Sequence, residues 1–288
     1  MNIAKTVFLM TLVTALLLLT GYLIGEWTGG SGTTWMTGAL VLSLAINLIS
    51  YWFSDKIVLM MYRAKEVTRK EAPELYQIVE ELTNKSAMPM PKVYIIPSDS
   101  PNAFATGRSP SHAAVAVTHG ILDLLNWEEL RGVLAHELAH VKHRDILTGT
   151  IVAAIASAVI WLSYILRFGA MFAGGSRDND RGGGNVIAML AFSILAPIAA
   201  MLIQMAVSRS REFDADAGGA RLSGDPMALA NALRKLSGYS KIRPMTEASP
   251  ATAHMFIVNP LSAKGITTLF STHPPTEERI ARLQKMAR

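Results

Sequence analysis

The sequence predicts a mainly α-helical membrane protein of the α+β class, with four transmembrane helices and a water-facing domain that contains a small sheet. Four apolar runs approach the length that spans a bilayer, at about 3–24, 35–53, 148–166 and 186–207. Between the second and third runs, short strand patterns alternate with amphipathic helix patterns, as in an α+β domain. Half of the residues are hydrophobic and only 17% are charged, which favours a membrane protein over a soluble enzyme.

Composition also limits the ligands and partners of this chain. The net charge is +5, but the basic residues are dispersed and mostly flank the apolar runs. That distribution indicates that the basic residues orient the protein in a membrane. It therefore predicts no nucleic-acid partner. The chain has no cysteine, so any metal must be held by histidines and carboxylates. The lack of disulfides fits a reducing compartment.

Residues 1–55 are predicted to form a transmembrane hairpin with a short loop containing Gly29, Gly30 and Gly32. A cleaved signal peptide is the alternative, because Lys5 supplies a positive start. The first apolar run is longer than the usual apolar core of a signal peptide, roughly 7–15 residues, and no clear cleavage site follows it. Four aromatic residues stand at the predicted membrane surfaces, where their rings are favoured: Trp27, Trp35, Tyr51 and Trp52.

The distribution of basic residues predicts the orientation of this hairpin. The loop at 26–34 has no Lys or Arg, whereas basic residues cluster soon after the second span: Lys56, Arg63, Lys65, Arg69 and Lys70. By the positive-inside rule, the N-terminus and everything after Phe53 are predicted to be cytoplasmic.

Residues 56–147 are predicted to form the N-terminal part of the water-facing domain. Thr68 and Glu71 have the spacing of a capping box, which predicts a helix from there to about Asn84. Asn126 with Glu129 predicts a second capped helix that continues towards residue 147. Between them, the pattern predicts strands at 93–96, 102–107 and 113–118 and a helix at 119–125.

The second capped helix contains the pattern H-E-x-x-H, as His136-Glu137-Leu138-Ala139-His140. Residues four apart on a helix share one face at about 6 Å, so His136 and His140 can bind the same Zn²⁺. Glu137, one residue further round, could take a proton from an attacking water and pass it to a leaving amine. The pattern also occurs in proteins that bind no metal, but the apolar flanks place these polar groups in a buried helix.

Residues 148–208 are predicted to form a second transmembrane hairpin, with spans at 148–166 and 186–207 around a glycine-rich linker. The alternative is a hydrophobic hairpin that packs on the domain without crossing the bilayer. Residues 209–288 are predicted to form the C-terminal part of the domain, with helices at 226–236 and 275–286.

Glu212 is the candidate for a third metal ligand. The two ends of the second hairpin meet on one side of the membrane, so the H-E-x-x-H helix before it and Glu212 after it should be neighbours. Asp216, one turn later, could accept the second ring N–H of a ligand histidine. The alternative is a solvated acidic face paired with Arg209 and Arg211. His143 is about 10.5 Å along the helix from His136, too far to share an ion with both histidines.

Together these residues resemble a known family, the HtpX-type membrane zinc peptidases, which are related to the CAAX prenyl proteases. The resemblance rests on the H-E-x-x-H segment, Glu212 with Asp216, the stretch at 101–104 and the stretch at 272–275. It implies four transmembrane helices plus a gluzincin-like zinc peptidase domain, with His136, His140 and Glu212 holding one Zn²⁺ per subunit. It implies Glu137 as the general base. It also implies a stress-response role at the bacterial inner membrane, where damaged membrane proteins are degraded.

Two further stretches have expected roles in this setting. Asn102, Ala103 and Phe104 are predicted to lie on an edge strand that pairs with an extended substrate. An ordinary strand of the sheet would have the same sequence pattern. His273 precedes two prolines and could donate to the developing oxyanion, or it could simply shape the start of the last helix.

The function expected from the sequence is therefore zinc-dependent endopeptidase activity in a multi-pass membrane protein whose termini and active site face the cytoplasm. Its expected partners are polypeptide substrates, chiefly damaged or misfolded membrane proteins, and the lipid bilayer. Site-specific processing of the CAAX type is one alternative. A non-catalytic membrane scaffold or chaperone with a structural zinc site is another.

Overall fold

The structure, a computed structural model, describes residues 2–27, 31–156, 209–242, 257 and 274–287. The helices are α1 (Asn2–Trp27), α2 (Gly32–Met61), α3 (Pro73–Ser86), α4 (His119–Leu124), α5 (Trp127–Lys142), α6 (Asp145–Ala156), α7 (Arg209–Ser223), α8 (Pro226–Ile242) and α9 (Thr276–Met286). The strands are β1 (Lys65–Glu66), β2 (Lys92–Ile96), β3 (Ala103–Gly107) and β4 (Ala113–Thr118). The predicted mainly helical fold with a small sheet is confirmed.

Helices α1 and α2 pack side by side, with Leu9, Val13 and Leu17 buried on α1 and mainly small residues buried along α2. The Ser43 hydroxyl donates to Thr14 Oγ1 at 2.7 Å, and the Asn47 amide donates to the same oxygen at 3.0 Å. Helix α2 begins at Gly32, which the sequence had placed in the loop, and it ends eight residues beyond the predicted span. The large apolar side chains of α2 are mostly exposed, as expected for a helix solvated by lipid.

Among the described residues, α2 is the one helix long and apolar enough to cross a bilayer, and shorter apolar segments occur at Val7–Leu19 and Asp145–Ala156. The second predicted hairpin falls almost entirely outside the described residues. Four transmembrane helices therefore stay a prediction.

The sheet has the strand order β1-β2-β4-β3, so β3 lies at an edge. Strands β2 and β4 are parallel, whereas β3 is antiparallel to β4 with Ala105 opposite Val115. The three predicted strands are confirmed. The two-residue strand β1 was not predicted.

One predicted helix start was wrong. Thr68 and Glu71 do bond to each other, with the Thr68 N–H and hydroxyl both donating to the Glu71 carboxylate at 2.7 Å. They form a turn, however, and α3 begins only at Pro73. The physical reason is that a residue before proline is kept out of the helical region, and Ala72 has a φ of −139° and a ψ of 68°.

Helix α5 lies at the centre of the water-facing domain. Its N-terminus has the predicted capping box, in which the Glu129 N–H donates to Asn126 Oδ1 at 2.8 Å and the Asn126 N–H donates to Glu129 Oε2 at 3.0 Å. Most of its residues are buried against α3, the sheet, α7 and α8. Gly132 permits the closest contact with α8, because a Cβ there would lie 2.6 Å from the Leu229 nitrogen. The core thus fixes α5 on several sides.

Candidate metal centre

Helix α5 presents two histidines from adjacent turns to one small space. The ring centroids of His136 and His140 lie 4.8 Å apart with the ring planes at 89°. The His136 side chain is 1% exposed and that of His140 is 15% exposed. Two imidazoles in this position can share a ligand that reaches them from a third element.

That third element is α7, which brings Glu212 to both rings. Glu212 Oε2 lies 3.9 Å from His136 Nε2, and Glu212 Oε1 lies 3.6 Å from His140 Nε2. One donor atom from each of the three residues lies within 4.8 Å of the others. The helices approach this closely because position 219 is glycine: a Cβ there would lie 2.7 Å from the His136 nitrogen.

These three residues fit a zinc ion in chemistry and in spacing. Two neutral imidazole nitrogens and one carboxylate oxygen form a donor set that catalytic zinc sites use. Around a tetrahedral ion with bonds of about 2.1 Å, neighbouring ligand atoms lie about 3.4 Å apart. The observed separations of 3.6 and 3.9 Å would need only a small contraction.

A buried ion pair supports His136 from behind. Asp216 Oδ1 lies 2.9 Å from His136 Nδ1. Arg279 on α9 donates to both Asp216 oxygens, at 2.8 Å from Nε and 2.7 Å from Nη2. Its Nη1 donates to the Ile257 carbonyl at 3.0 Å, and its Nη2 lies 3.4 Å from His136 Nε2. Asp216 is thereby paired on two sides and can hold the His136 ring in one orientation.

Sequence reasoning missed Arg279. It is 1% exposed, yet it occupies an amphipathic terminal helix in which a basic residue reads as solvated. Its spacing of four from Leu283, which is fully buried, was the available signal, since the two share one helix face.

Glu137 lies against the edge strand. The Ala105 N–H donates to Glu137 Oε2 at 2.9 Å, so the backbone of β3 orients the carboxylate. Burial raises the pKa of Glu137 to about 7, although the nearby His140 opposes this. The value lies near neutrality, which is where a proton-transfer group works best.

The histidines differ in their charge environment. Burial lowers the pKa of His136 to about 4, against the opposing effect of Asp216. Burial would lower the pKa of His140 too, but its partner Asp145 and the carboxylate of Glu212 raise it to about 9. Clustered carboxylates therefore favour positive charge beside His140, and a proton or a metal cation can supply it.

The remaining predicted residues are placed as follows. His143 is exposed and follows the last residue of α5. Asn102, Ala103 and Phe104 are buried at the start of β3. His273 lies outside the described residues, so its predicted role is untested.

Comparison with known proteins gives a consistent picture. The model of peptidase family M48 matches residues 69–287. A protease HtpX homolog from Desulfatibacillum aliphaticivorans is 58% identical over 282 residues, covering 98% of this chain and 89% of the relative. Another from Thermococcus kodakarensis is 54% identical over 283 residues, covering 98% of this chain and 95% of the relative.

A solved structure is similar in fold. The crystal structure of S. mikatae Ste24p superposes with a TM-score of 0.51 at 17% identity. The match covers 98% of this chain but only 65% of the Ste24p chain. At this identity the likeness concerns the fold alone.

Proposed function

We propose that this chain, which belongs to peptidase family M48 and is a membrane metalloprotease, is a zinc-dependent endopeptidase that cleaves damaged or misfolded membrane proteins. The observation that carries the proposal is the convergence of His136, His140 and Glu212, with Glu137 beside them. We place the enzyme in the bacterial inner membrane as a multi-pass protein with its site and both termini in the cytoplasm. The lack of basic residues in the first loop and their abundance after α2 support that placement.

His136, His140 and Glu212 would hold one Zn²⁺ per subunit. When bound, this ion supplies Lewis-acid chemistry: it polarises the scissile carbonyl and lowers the pKa of water. The chain keeps His136 ready to bind, because burial leaves its imidazole neutral. Asp216 Oδ1 lies 2.9 Å from Nδ1 and Arg279 holds Asp216 in place, which would leave the other ring nitrogen for the ligand position.

Glu137 would act as the general base and then as the general acid. Its carboxylate is fixed at one oxygen by the Ala105 N–H. With its pKa raised to about 7, the group accepts a proton from the attacking water and still releases it to the leaving amine. A carboxylate with an ordinary pKa would hold that proton less well at neutral pH.

Strand β3 would bind the substrate as an added strand. In an antiparallel pair of strands, the backbone N–H and C=O groups of successive residues point alternately towards the partner strand and away from it. Asn102 faces β4, since its carbonyl accepts from the Thr118 N–H at 2.9 Å. Ala103 and Ala105 then face outward, as the bond from Ala105 to Glu137 requires. Ala103 would therefore offer the backbone groups that pair with substrate, and Asn102 and Phe104 would shape the strand.

Access to this edge and the oxyanion contact complete the proposal. All five residues of β3 are buried. An incoming substrate segment must therefore displace the groups that cover the free edge of β3. His273 would donate to the developing oxyanion.

The test compares Glu137→Gln with Glu128→Gln, an exposed residue on the same helix. Purified full-length protein with Zn²⁺ is given casein, and cleavage rates and bound zinc are measured. Glu137→Gln should lower kcat/KM by about 10²–10⁴-fold while keeping its zinc, and Glu128→Gln should match the wild type. Cleavage by Glu137→Gln at the rate of the wild type would contradict the proposed role of Glu137. Zinc binding without any cleavage by the wild type would favour a scaffold with a structural zinc.

A further inference from the structure

Helix α2 shows where the protein leaves the bilayer. Trp35 and Trp52 are 50% and 48% exposed, and the residues between them include no Asp, Glu, Lys or Arg. Trp52 is seventeen positions after Trp35, which is about 26 Å of helix and close to the ~30 Å of a hydrocarbon core. Exposed tryptophans favour the two membrane–water interfaces. Trp52 therefore marks the membrane surface on the side of the water-facing domain.

Strand β3 runs alongside α2, away from that surface. The Arg108 guanidinium, directly after β3, lies 4.6 Å from the centre of the Trp52 ring. The Phe104 ring centroid lies 5.8 Å from that of Tyr62. From Trp52 to Tyr62 the helix rises about 15 Å, and from Arg108 back to Phe104 the strand covers about 13 Å. The two lengths agree, so the strand is nearly parallel to the helix axis.

The catalytic carboxylate is therefore at a defined height. Ala105, which donates to Glu137 at 2.9 Å, is three residues from Arg108, or about 10 Å along the strand. Each headgroup layer is about 5–8 Å thick. Glu137 thus lies just beyond the headgroups, and this holds whichever side of the membrane the domain occupies.

We propose that this enzyme selects polypeptides anchored by a transmembrane span and cuts them about 3 to 6 residues beyond the end of that span. A fully extended chain covers about 10 Å in three residues, at about 3.3 Å per residue, and a chain that is not fully extended needs up to roughly twice as many. The inference rests on the proposed function, which already takes membrane proteins as substrates, and adds the position of the cut. Anchoring also raises the local concentration of the segment nearest the membrane, and this advantage falls as the tail lengthens. Segments far from a span should be poor substrates.

The experiment uses full-length, zinc-loaded protein in proteoliposomes with a single-span substrate. The tail of the substrate repeats one cleavable sequence, so that each position offers the same side chains, and product ends are mapped by mass spectrometry. Cuts should cluster 3 to 6 residues from the span. Insertion of ten further residues next to the span should leave that distance unchanged, and the same tail as a free peptide should be cleaved at least tenfold less efficiently.

Two variants and a matched control test the geometry. Arg108→Ala and Trp52→Ala remove the contact between the end of β3 and α2, and should spread the cuts over more positions. Lys56→Ala removes a cation–π contact that stays within α2, where Nζ lies 5.5 Å from the Phe53 ring, and should leave the cut positions unchanged. Cleavage of the free peptide should be the same in all three.

The outcomes separate this inference from the proposed function. Cuts distributed evenly along the anchored tail, or a free peptide cleaved as well as the anchored one, would overturn the inference alone. If no cleavage depended on Glu137, so that the wild type and Glu137→Gln gave the same result, the proposed function and the inference would both be overturned.

Discussion

Helix α2 of the hairpin and the water-facing domain distribute their side chains in opposite ways, whereas α1 buries Leu9, Val13 and Leu17. In the hairpin, Leu44 and Leu48 are 58% and 62% exposed, while Ser43 and Ser50 are 1% and 3% exposed. In the domain, the large apolar residues are buried around α5. Apolar side chains outside and small polar ones inside are expected where lipid is the solvent, because lipid does not drive leucines together.

The domain also buries ionisable side chains, which the described part of the hairpin does not. His136, Glu137, Glu212, Asp216 and Arg279 are each at most 5% exposed. Burial of an ionised group is costly unless it is paired, and Asp216 with Arg279 meets that condition through two hydrogen bonds. The hairpin is therefore shaped by its solvent, whereas the site is shaped by specific partners.

Breaking the buried pair should give the largest effect. Arg279→Met leaves Asp216 buried without its guanidinium, which should cost about 3–5 kcal/mol of stability and release the His136 ring. Arg69→Met removes an exposed pair with Glu80, whose side chains are 61% and 40% exposed, and should cost about 0–1 kcal/mol. Thermal unfolding of the purified protein in detergent measures both. Equal losses would show that the buried pair is not specially important.

Reversing the solvent preference of the hairpin should come next. Leu44 lies near the middle of the apolar stretch of α2, and Leu44→Arg should cost about 2.5–3.5 kcal/mol of membrane insertion. Met90 of the domain is 38% exposed, and Met90→Arg should change stability by no more than about 0.5 kcal/mol. The inserted fraction and the unfolding temperature are the measurements. If the cell inserted Leu44→Arg as well as the wild type, position 44 would not face lipid.

Filling the contact between α5 and α7 should have the smallest effect on stability. Gly219→Ala places a Cβ 2.7 Å from the His136 nitrogen, so the helices must move apart at a cost of about 1–3 kcal/mol. Glu212 would move with α7, and zinc affinity should fall as well. At Gly238 a Cβ meets nothing within 4 Å, so Gly238→Ala should be neutral or stabilising by up to about 1 kcal/mol. Unchanged zinc affinity in Gly219→Ala would mean that this contact does not position Glu212.

Local patterns were the predictable part of this molecule. The capping box of α5 needs only residues three apart, and the sequence identified it correctly. The same pattern at Thr68 and Glu71 misled, because Pro73 determines where α3 begins. Strand β1 has two exposed residues and so offers no hydrophobic alternation to detect.

Long-range pairs were not predictable from residue types alone. Arg279 and Asp216 lie 63 positions apart. The sequence predicted a role for Asp216 beside a ligand histidine, but Arg279 read singly is an ordinary exposed charge. Glu212 was placed near the histidines because the predicted hairpin returns the chain to the same side. No comparable argument was available for α9.

The decisive measurement is zinc binding by Glu212→Ala. The control is Asp214→Ala, because Asp214 is an exposed residue on the same helix. Purified protein is dialysed against a competing chelator, and its zinc is counted by mass spectrometry. The wild type and Asp214→Ala should retain about one zinc per chain, the number that one three-residue site can hold, and Glu212→Ala should lose most of it. A Glu212→Ala protein that holds zinc as tightly as the wild type would contradict the account.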